Sequence, residues 1–289
     1  MWALLALGAA LLTSFNPILY KKMLKDVSSV TVVFAVVLLS LPPLAVFSVF
    51  LTPQFPALDW LFMVGVVGSA VLNVGAHLAS TRALQLEDTS LVTPLLIFSP
   101  VFTVIISAIF LDEIPSLIGV TGVGLVLIGA YWLNHNPGSS WLAPLRALAF
   151  KPGIMLVLLA GLLWSVTPVL EKVALEHTNP VSPRFTVLVI NILLVALLTP
   201  VVLTRGRTDV GNLKVHPREL LLAGLIAGIA PVLGYTALSL GLVGYVTTLF
   251  KLSTLMTVLW GGLLLGESGL RRRLPASLVM VVGAVLITL

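Results

Sequence analysis

Residues 83–113, ALQLEDTSLVTPLLIFSPVFTVIISAIFLDE, lie without a gap over residues 237–267, ALSLGLVGYVTTLFKLSTLMTVLWGGLLLGE. Eleven of these 31 positions are identical, among them Thr93/Thr247, Ser99/Ser253, Thr103/Thr257 and Glu113/Glu267. Chance identity in so biased a composition is only ~10–15%. The same offset of 154 places Gly129-Ala130 over Gly283-Ala284. At an offset of 151, Ser14-Phe15-Asn16-Pro17 lies over Ser165-Val166-Thr167-Pro168, and Lys21 over Lys172. The chain therefore reads as a duplicated unit.

The size of that unit follows from where the charges fall. Of 289 residues, 58% are hydrophobic and 9% charged, against roughly 25% charged in a soluble domain. About 20 apolar residues cross the hydrocarbon core as a helix. The uncharged runs supply ten such spans: about Trp2–Tyr20, Val30–Leu51, Trp60–Thr81, Thr89–Leu111, Pro115–Leu133, Pro152–Leu170, Phe185–Leu203, Leu220–Leu240, Tyr245–Leu265 and a short Leu274–Leu289. Barrel strands would alternate polar and apolar residues in segments of about ten, and these runs are continuously apolar. The expected fold is an all-α polytopic membrane protein of ten transmembrane helices, with residues 1–133 and 152–289 as five-helix repeats joined by a polar connector, 134–151. Five is odd, so the second repeat enters the membrane inverted. Inverted repeats mark secondary transporters, whose substrate lies near the midplane between the repeats.

Two helical halves, each with an apolar fourth helix ending in Leu111-Asp112-Glu113 or Leu265-Gly266-Glu267 before a Gly-rich fifth, resemble the drug/metabolite transporter superfamily, EamA type. Val92-Thr93-Pro94 and GAVLIT at 283–288 carry the same resemblance. It covers essentially the whole chain and implies ten helices, a central cavity and alternating access, with a substrate that varies widely among members. The triose-phosphate translocators, relatives that exchange phosphate compounds, are similar in one local respect: a basic residue partway along helix nine binds substrate phosphate, and Lys251 falls at a comparable place.

Lys251 interrupts an otherwise apolar span. A Lys at a helix centre costs roughly 2.5–3.5 kcal/mol on insertion scales. Either it snorkels to the nearer interface, or it supports a broken helix, or it meets an anionic substrate. Helical spacing puts Thr247, Lys251, Thr254 and Val258 on one face, and the counterpart of Lys251 in the first repeat is the apolar Ile97. Pro17 and Pro168 each remove a backbone hydrogen bond. They are candidate hinges, and Ser14, Asn16, Ser165 and Thr167 beside them either line a cavity or cap a packing kink. Lys21 and Lys172, one turn on, read as interface anchors more readily than as cavity gates. Asn73 and His77 share a face of the third span, Tyr235 lies in the eighth, and Asn191 in the seventh reads as a helix–helix hydrogen bond. A His inside a span is a proton-relay or ligand candidate, or a neutral hydrogen-bonding group. Glu113 and Glu267 read as structural.

The expected substrate-binding set is thus Lys251, Thr247, Thr254, Ser14, Asn16, Ser165, Thr167, Asn73, His77 and Tyr235. No Asp or Glu occupies the middle of any span, the nearest being Glu171, after Pro168. Exchange or facilitated diffusion then fits better than coupling through a buried carboxylate, with His77 the fallback proton site. Neither a GxxxxGK[ST] loop nor HExxH nor a Ser/His/Asp arrangement occurs, so ATP hydrolysis and membrane-enzyme chemistry are not expected. With no cysteine, disulfides and thiol chemistry are excluded. No cofactor, metal or nucleic-acid partner is expected; the partners are a small-molecule substrate and the lipid bilayer, with the chain a monomer or homodimer. No basic region precedes the first apolar run, so a cleaved signal peptide is not expected.

Thirteen basic residues fall in the loops after odd-numbered spans and only Lys172 and Arg184 in the others. By the positive-inside rule both termini face outward, whereas the resemblance implies termini inside. The expected location is a bacterial inner (plasma) membrane. The function expected is a secondary transporter, exchanger or facilitator, of small anionic or zwitterionic metabolites. The alternatives are a broad exporter of amphipathic compounds or amino acids, and a non-transporting membrane scaffold or receptor.

Overall fold

The structure is a computed structural model, and it describes residues 1–50, 55–86, 96, 99–134, 152–205, 209–265 and 270–289. Residues 135–151 of the expected connector, Ile97, Pro94 and Glu267 lie outside this set. The expected all-helical fold is found. In hydrocarbon every backbone N–H and C=O must be satisfied within the segment, and a helix does this alone. The helices are α1 (Trp2–Thr13), α2 (Asn16–Met23), α3 (Ser29–Phe50), α4 (Trp60–Leu86), α5 (Ser99–Phe110), α6 (Leu117–Asn134), α7 (Pro152–Glu176), α8 (Pro183–Arg205), α9 (Pro217–Leu240), α10 (Val243–Phe250), α11 (Leu252–Leu265) and α12 (Leu270–Thr288). Among the described residues six helical segments are long and apolar enough to cross a membrane, and Ser99–Phe110, Leu117–Leu133 and Pro275–Thr288 are shorter apolar ones. Apolar side chains such as Leu4, Ile109, Val281 and Val285 remain exposed, as positions against lipid do.

The contacts fall into two compact units: Met1–Val74 with Leu170–Gly241, and Gly75–Val169 with Leu242–Leu289. Each unit therefore draws helices from both sequence repeats, and the division falls inside α4 and inside α7.

In the first unit, α3 lies along α9. A Cβ on Gly224 would stand 2.6 Å from Leu39 Cβ, and one on Gly228 would stand 2.5 Å from Pro43 Cγ. Contacts that advance together in both helices mean a parallel pair. α8 runs antiparallel to α3, tied by Asn191 Nδ2 donating to Ser40 Oγ (3.2 Å) and Ser48 Oγ donating to the Arg184 carbonyl (3.0 Å). β1 (Ala57–Leu58), which precedes α4, pairs antiparallel with β2 (Thr178–Asn179), which follows α7. Met23, Val27, Val32, Val36, Leu213 and Ala223 form a buried cluster.

In the second unit, α6 and α12 pack so closely that their backbones touch. A Cβ on Gly122 would stand 2.7 Å from the Gly283 carbonyl oxygen, and one on Gly129 would stand 2.8 Å from that of Ala276. Small residues permit such an approach between membrane helices. The pairings run in opposite directions, so the helices are antiparallel. The repeat offset of 154 carries Gly122 onto Ala276 and carries Gly283 back onto Gly129. The two contacts are thus one contact seen twice, as inversion of one repeat against the other requires.

Candidate functional site

The polar residues of α4 meet α7 and α9 around a carboxylate that stood outside every expected span. α7 does not end at Leu170; it continues to Glu176, which places Glu171 inside it. Gly65 on α4 makes room, since a Cβ there would lie 2.7 Å from the Leu170 carbonyl oxygen and 2.8 Å from Ala174 Cβ. Ser69, fully buried, donates from Oγ to Glu171 Oε1 at 2.9 Å. Tyr235 of α9, only 8% exposed, and Asn73 also hydrogen-bond to Glu171. Asn73 Nδ2 lies 3.3 Å from Ser69 Oγ. The expected end of the sixth span at about Leu170 is therefore corrected: Glu171 lies within the helix, toward its C-terminal end. A residue left out of the candidate set is the one that Asn73 and Tyr235, both in the set, converge on. The signal for it was present: Ser69 and Asn73 stand one turn apart in an apolar helix and need a polar partner.

Its neighbour is corrected as well. Lys172 is not an interface anchor. It is 9% exposed and donates to the Leu238 carbonyl (2.7 Å) and the Gly241 carbonyl (3.4 Å), with Glu176 Oε1 at 3.7 Å. Carbonyls at a helix C-terminus lack intrahelical donors and carry partial negative charge; the Lys172 ammonium supplies both needs at the end of α9. The side chain of Lys21 lies outside the described set.

The ninth span is two helices. α10 ends at Phe250 and α11 starts at Leu252, with Lys251 as the hinge residue between them. Its N–H donates to the Thr248 carbonyl (3.0 Å), and its own carbonyl accepts from the Thr254 N–H (3.1 Å). Both bonds span three residues, so a single tightened turn sits where the charge sits. Among the described residues the Lys251 ammonium meets no carboxylate and no hydrogen-bond acceptor. Thr247 is buried, and its hydroxyl donates to the Val243 carbonyl at 2.9 Å within its own helix. Thr254 is half-buried, and the side chain of Val258 is outside the described set. At the other end of α10, Glu113 Oε2 accepts from the Val243 N–H at 2.6 Å. Asp112, at φ 53°, turns the chain to aim it; Asp tolerates this left-handed conformation better than most residues. Tyr245 OH accepts from the Ser116 N–H at 2.8 Å. Glu113 thus caps the N-terminus of α10, a structural role as expected.

The model of the EamA-like transporter family matches residues 1–135 and 151–289. The chain belongs to the EamA-like transporter family. A solved structure titled "Crystal structure of protein" matches it with TM-score 0.77 over 99% of this chain and 96% of the other, at 16% identity, which shows a shared fold. None of the curated proteins matches the chain. It is an integral, multi-pass membrane transporter, not an enzyme, and it works on small molecules in a lipid setting.

In this transporter the two aligned prolines behave differently. Pro168 lies inside the unbroken α7. It cannot donate to the Trp164 carbonyl, and Thr167 Oγ1 donates there instead at 3.3 Å. At Pro17 the helix breaks into α1 and α2 at Ser14-Phe15. Asn16, aligned with Thr167, leaves its Oδ1 buried with no hydrogen-bond partner among the described residues. The hydroxyls of Ser14 and Ser165 donate to the Leu11 and Leu162 carbonyls one turn back. Three of the four polar residues expected beside the prolines therefore satisfy their own helices. Asn73 and His77, one turn apart, have separate neighbours: His77 meets the Trp164 ring edge-on at 5.3 Å.

Proposed function

We propose that the chain is a secondary transporter, an exchanger or facilitator, that moves a small anionic or zwitterionic organic metabolite by alternating access through a cavity built from both five-helix repeats, 1–133 and 152–289. Lys251 supports this reading most directly. It is a cation inside a span, at a tightened turn, and it meets no acidic partner among the described residues. An ionisable group held inside a membrane at such cost is a functional group by default, and an anion supplies what the protein does not. Thr247 commits its hydroxyl hydrogen to its own helix and so offers a substrate only an acceptor; Thr254 is the other polar side chain on that face. Pro17, at a real break, serves as a hinge more readily than Pro168. The transporter needs no ATP, acts as a monomer or homodimer, and resides in a bacterial inner membrane.

The test is a thermal-shift screen of the purified protein against anionic, zwitterionic and cationic metabolites, with wild type and Lys251→Ala side by side. Stabilisation by an anionic or zwitterionic class that disappears in Lys251→Ala is the expected result. Equal stabilisation of both proteins, or preference for cationic amphiphiles, favours instead the broad exporter in which Lys251 snorkels.

A further inference from the structure

Among the described residues Glu171 has three neutral partners and no cationic one. Ser69 is a hydroxyl, Tyr235 a phenol and Asn73 an amide. The charged and titratable groups of the helices packed against it are engaged elsewhere or distant. Lys172, next to it on α7, is turned to the end of α9 and to Glu176. Arg218 and Glu219 stand at the far end of α9, where Glu219 pairs with Lys22 at 2.9 Å. On α4, His77 lies against Trp164, and Arg82 is another turn on. An ionised carboxylate away from water and without a counter-charge is costly, and such a group is relieved by neutralisation.

Ser, Tyr and Asn side chains share a property that Lys and Arg lack: each both donates and accepts. An ionised Glu171 accepts from all three. A protonated Glu171 becomes a donor, and a hydroxyl that rotates can accept from it. The cluster thus satisfies the carboxyl in both forms, which a site for reversible protonation requires. A sodium site is a poorer match, because Asn73 presents its amide nitrogen, not its oxygen, to the cluster. We infer that Glu171, with Ser69, Asn73 and Tyr235, is a proton-binding site inside the membrane, loaded and unloaded during the transport cycle. Its place in that cycle rests on the transport reading above; proton binding itself does not.

The experiment is infrared difference spectroscopy of the purified transporter as buffer is stepped from alkaline to acid, which reads the carbonyl stretch of a carboxylic acid forming. Wild type is expected to show one titrating band that Glu171→Gln lacks. Tyr235→Phe keeps the band but moves its midpoint by about one pH unit, as the loss of one hydrogen bond to a charged group does. If Glu171→Gln does not fold, the Tyr235→Phe midpoint alone decides: an unmoved midpoint overturns the assignment. An unchanged spectrum in a folded Glu171→Gln overturns it too. So does a wild-type band suppressed in sodium buffer and restored in choline buffer, which would make the ligand a sodium ion. Uptake into proteoliposomes is measured on the same preparations, so a missing band with intact transport sinks only the proton site, and a band without transport sinks only the transport reading.

Discussion

Glu171 and Lys251 are two ionisable side chains within membrane-spanning segments, and the protein treats them in opposite ways. Around Glu171, helices α4, α7 and α9 supply three polar partners, and α7 runs on unbroken past it. At Lys251 no described side chain supplies a partner, and the helix itself tightens into a turn. The first is a charge that belongs to a network. The second is a charge that acts by itself. The difference teaches that the cost of a membrane charge is decided across helices, not by its depth in one apolar run.

The largest effect that could break the comparison concerns Lys251. If it alone holds the anionic group of the substrate, Lys251→Ala lowers uptake in proteoliposomes by about tenfold to a hundredfold, the equivalent of a lost charged hydrogen bond of about 1.5–3 kcal/mol. Folding, read by monodispersity and melting, stays intact; wild-type uptake by that variant would remove the contrast. Next in size is the network. Ser69→Ala and Tyr235→Phe each lower thermal stability by about 1 kcal/mol. Combined, they depart from additivity by 0.5 kcal/mol or more, in the range of about 0.5–3 kcal/mol that partners in one network show. Additive losses would mean that the two partners do not share Glu171.

Why one member of this pair was legible and the other was not comes down to local against distant information. The apolar runs fix where helices lie, because a bilayer leaves the backbone no alternative, and the repeat follows from identities at a fixed offset. Lys251 stands out in the sequence for the same reason: its neighbours in the chain are all uncharged. Glu171 reads as lying past the end of a helix because the uncharged run stops at Leu170. Only the partners from α4 and α9 show that both charges are satisfied inside the unit, Lys172 by carbonyls that no sequence pattern marks. Asn73 and Tyr235 stand out as polar residues in apolar spans, but their meeting point depends on how α4 and α9 pack on α7. Likewise the aligned prolines suggest like behaviour, yet the helix breaks before Pro17, where Asn16 leaves its Oδ1 without a partner among the described residues, and runs on through Pro168, where Thr167 donates to the Trp164 carbonyl.

That last pair supplies a smaller test. Thr167→Val leaves the Trp164 carbonyl beside Pro168 without its donor and is expected to lower the melting stability by about 0.6 kcal/mol, the usual size of a side-chain hydrogen bond between or within membrane helices. No loss would mean that α7 tolerates its proline without help. The smallest expected effect lies outside the membrane. Desolvation raises the Asp59 carboxyl, but the hydrogen bond with His177, the Phe62 and Leu61 amides and the His177 charge together hold it below its ordinary value of 3.8. A depressed carboxylate stabilises the fold above its ordinary value and loses that contribution as pH falls through its folded value. Melting followed through the acid range is expected to fall slightly more steeply in wild type than in Asp59→Asn; identical curves would show that this pair contributes nothing to acid stability.

The reciprocal contacts between α6 and α12 carry a consequence for ancestry. A contact in which position i meets j while j meets i is what two identical chains make across a two-fold axis. Gly122 with Gly283, and Ala276 with Gly129, are such a pair within one polypeptide. Before the duplication, the same seam would have joined two separate copies of a five-helix protein inserted in opposite directions. Fusion made their stoichiometry fixed and their orientations permanent, and it freed each copy to diverge. A lysine on one side only is something a homodimer could never have had.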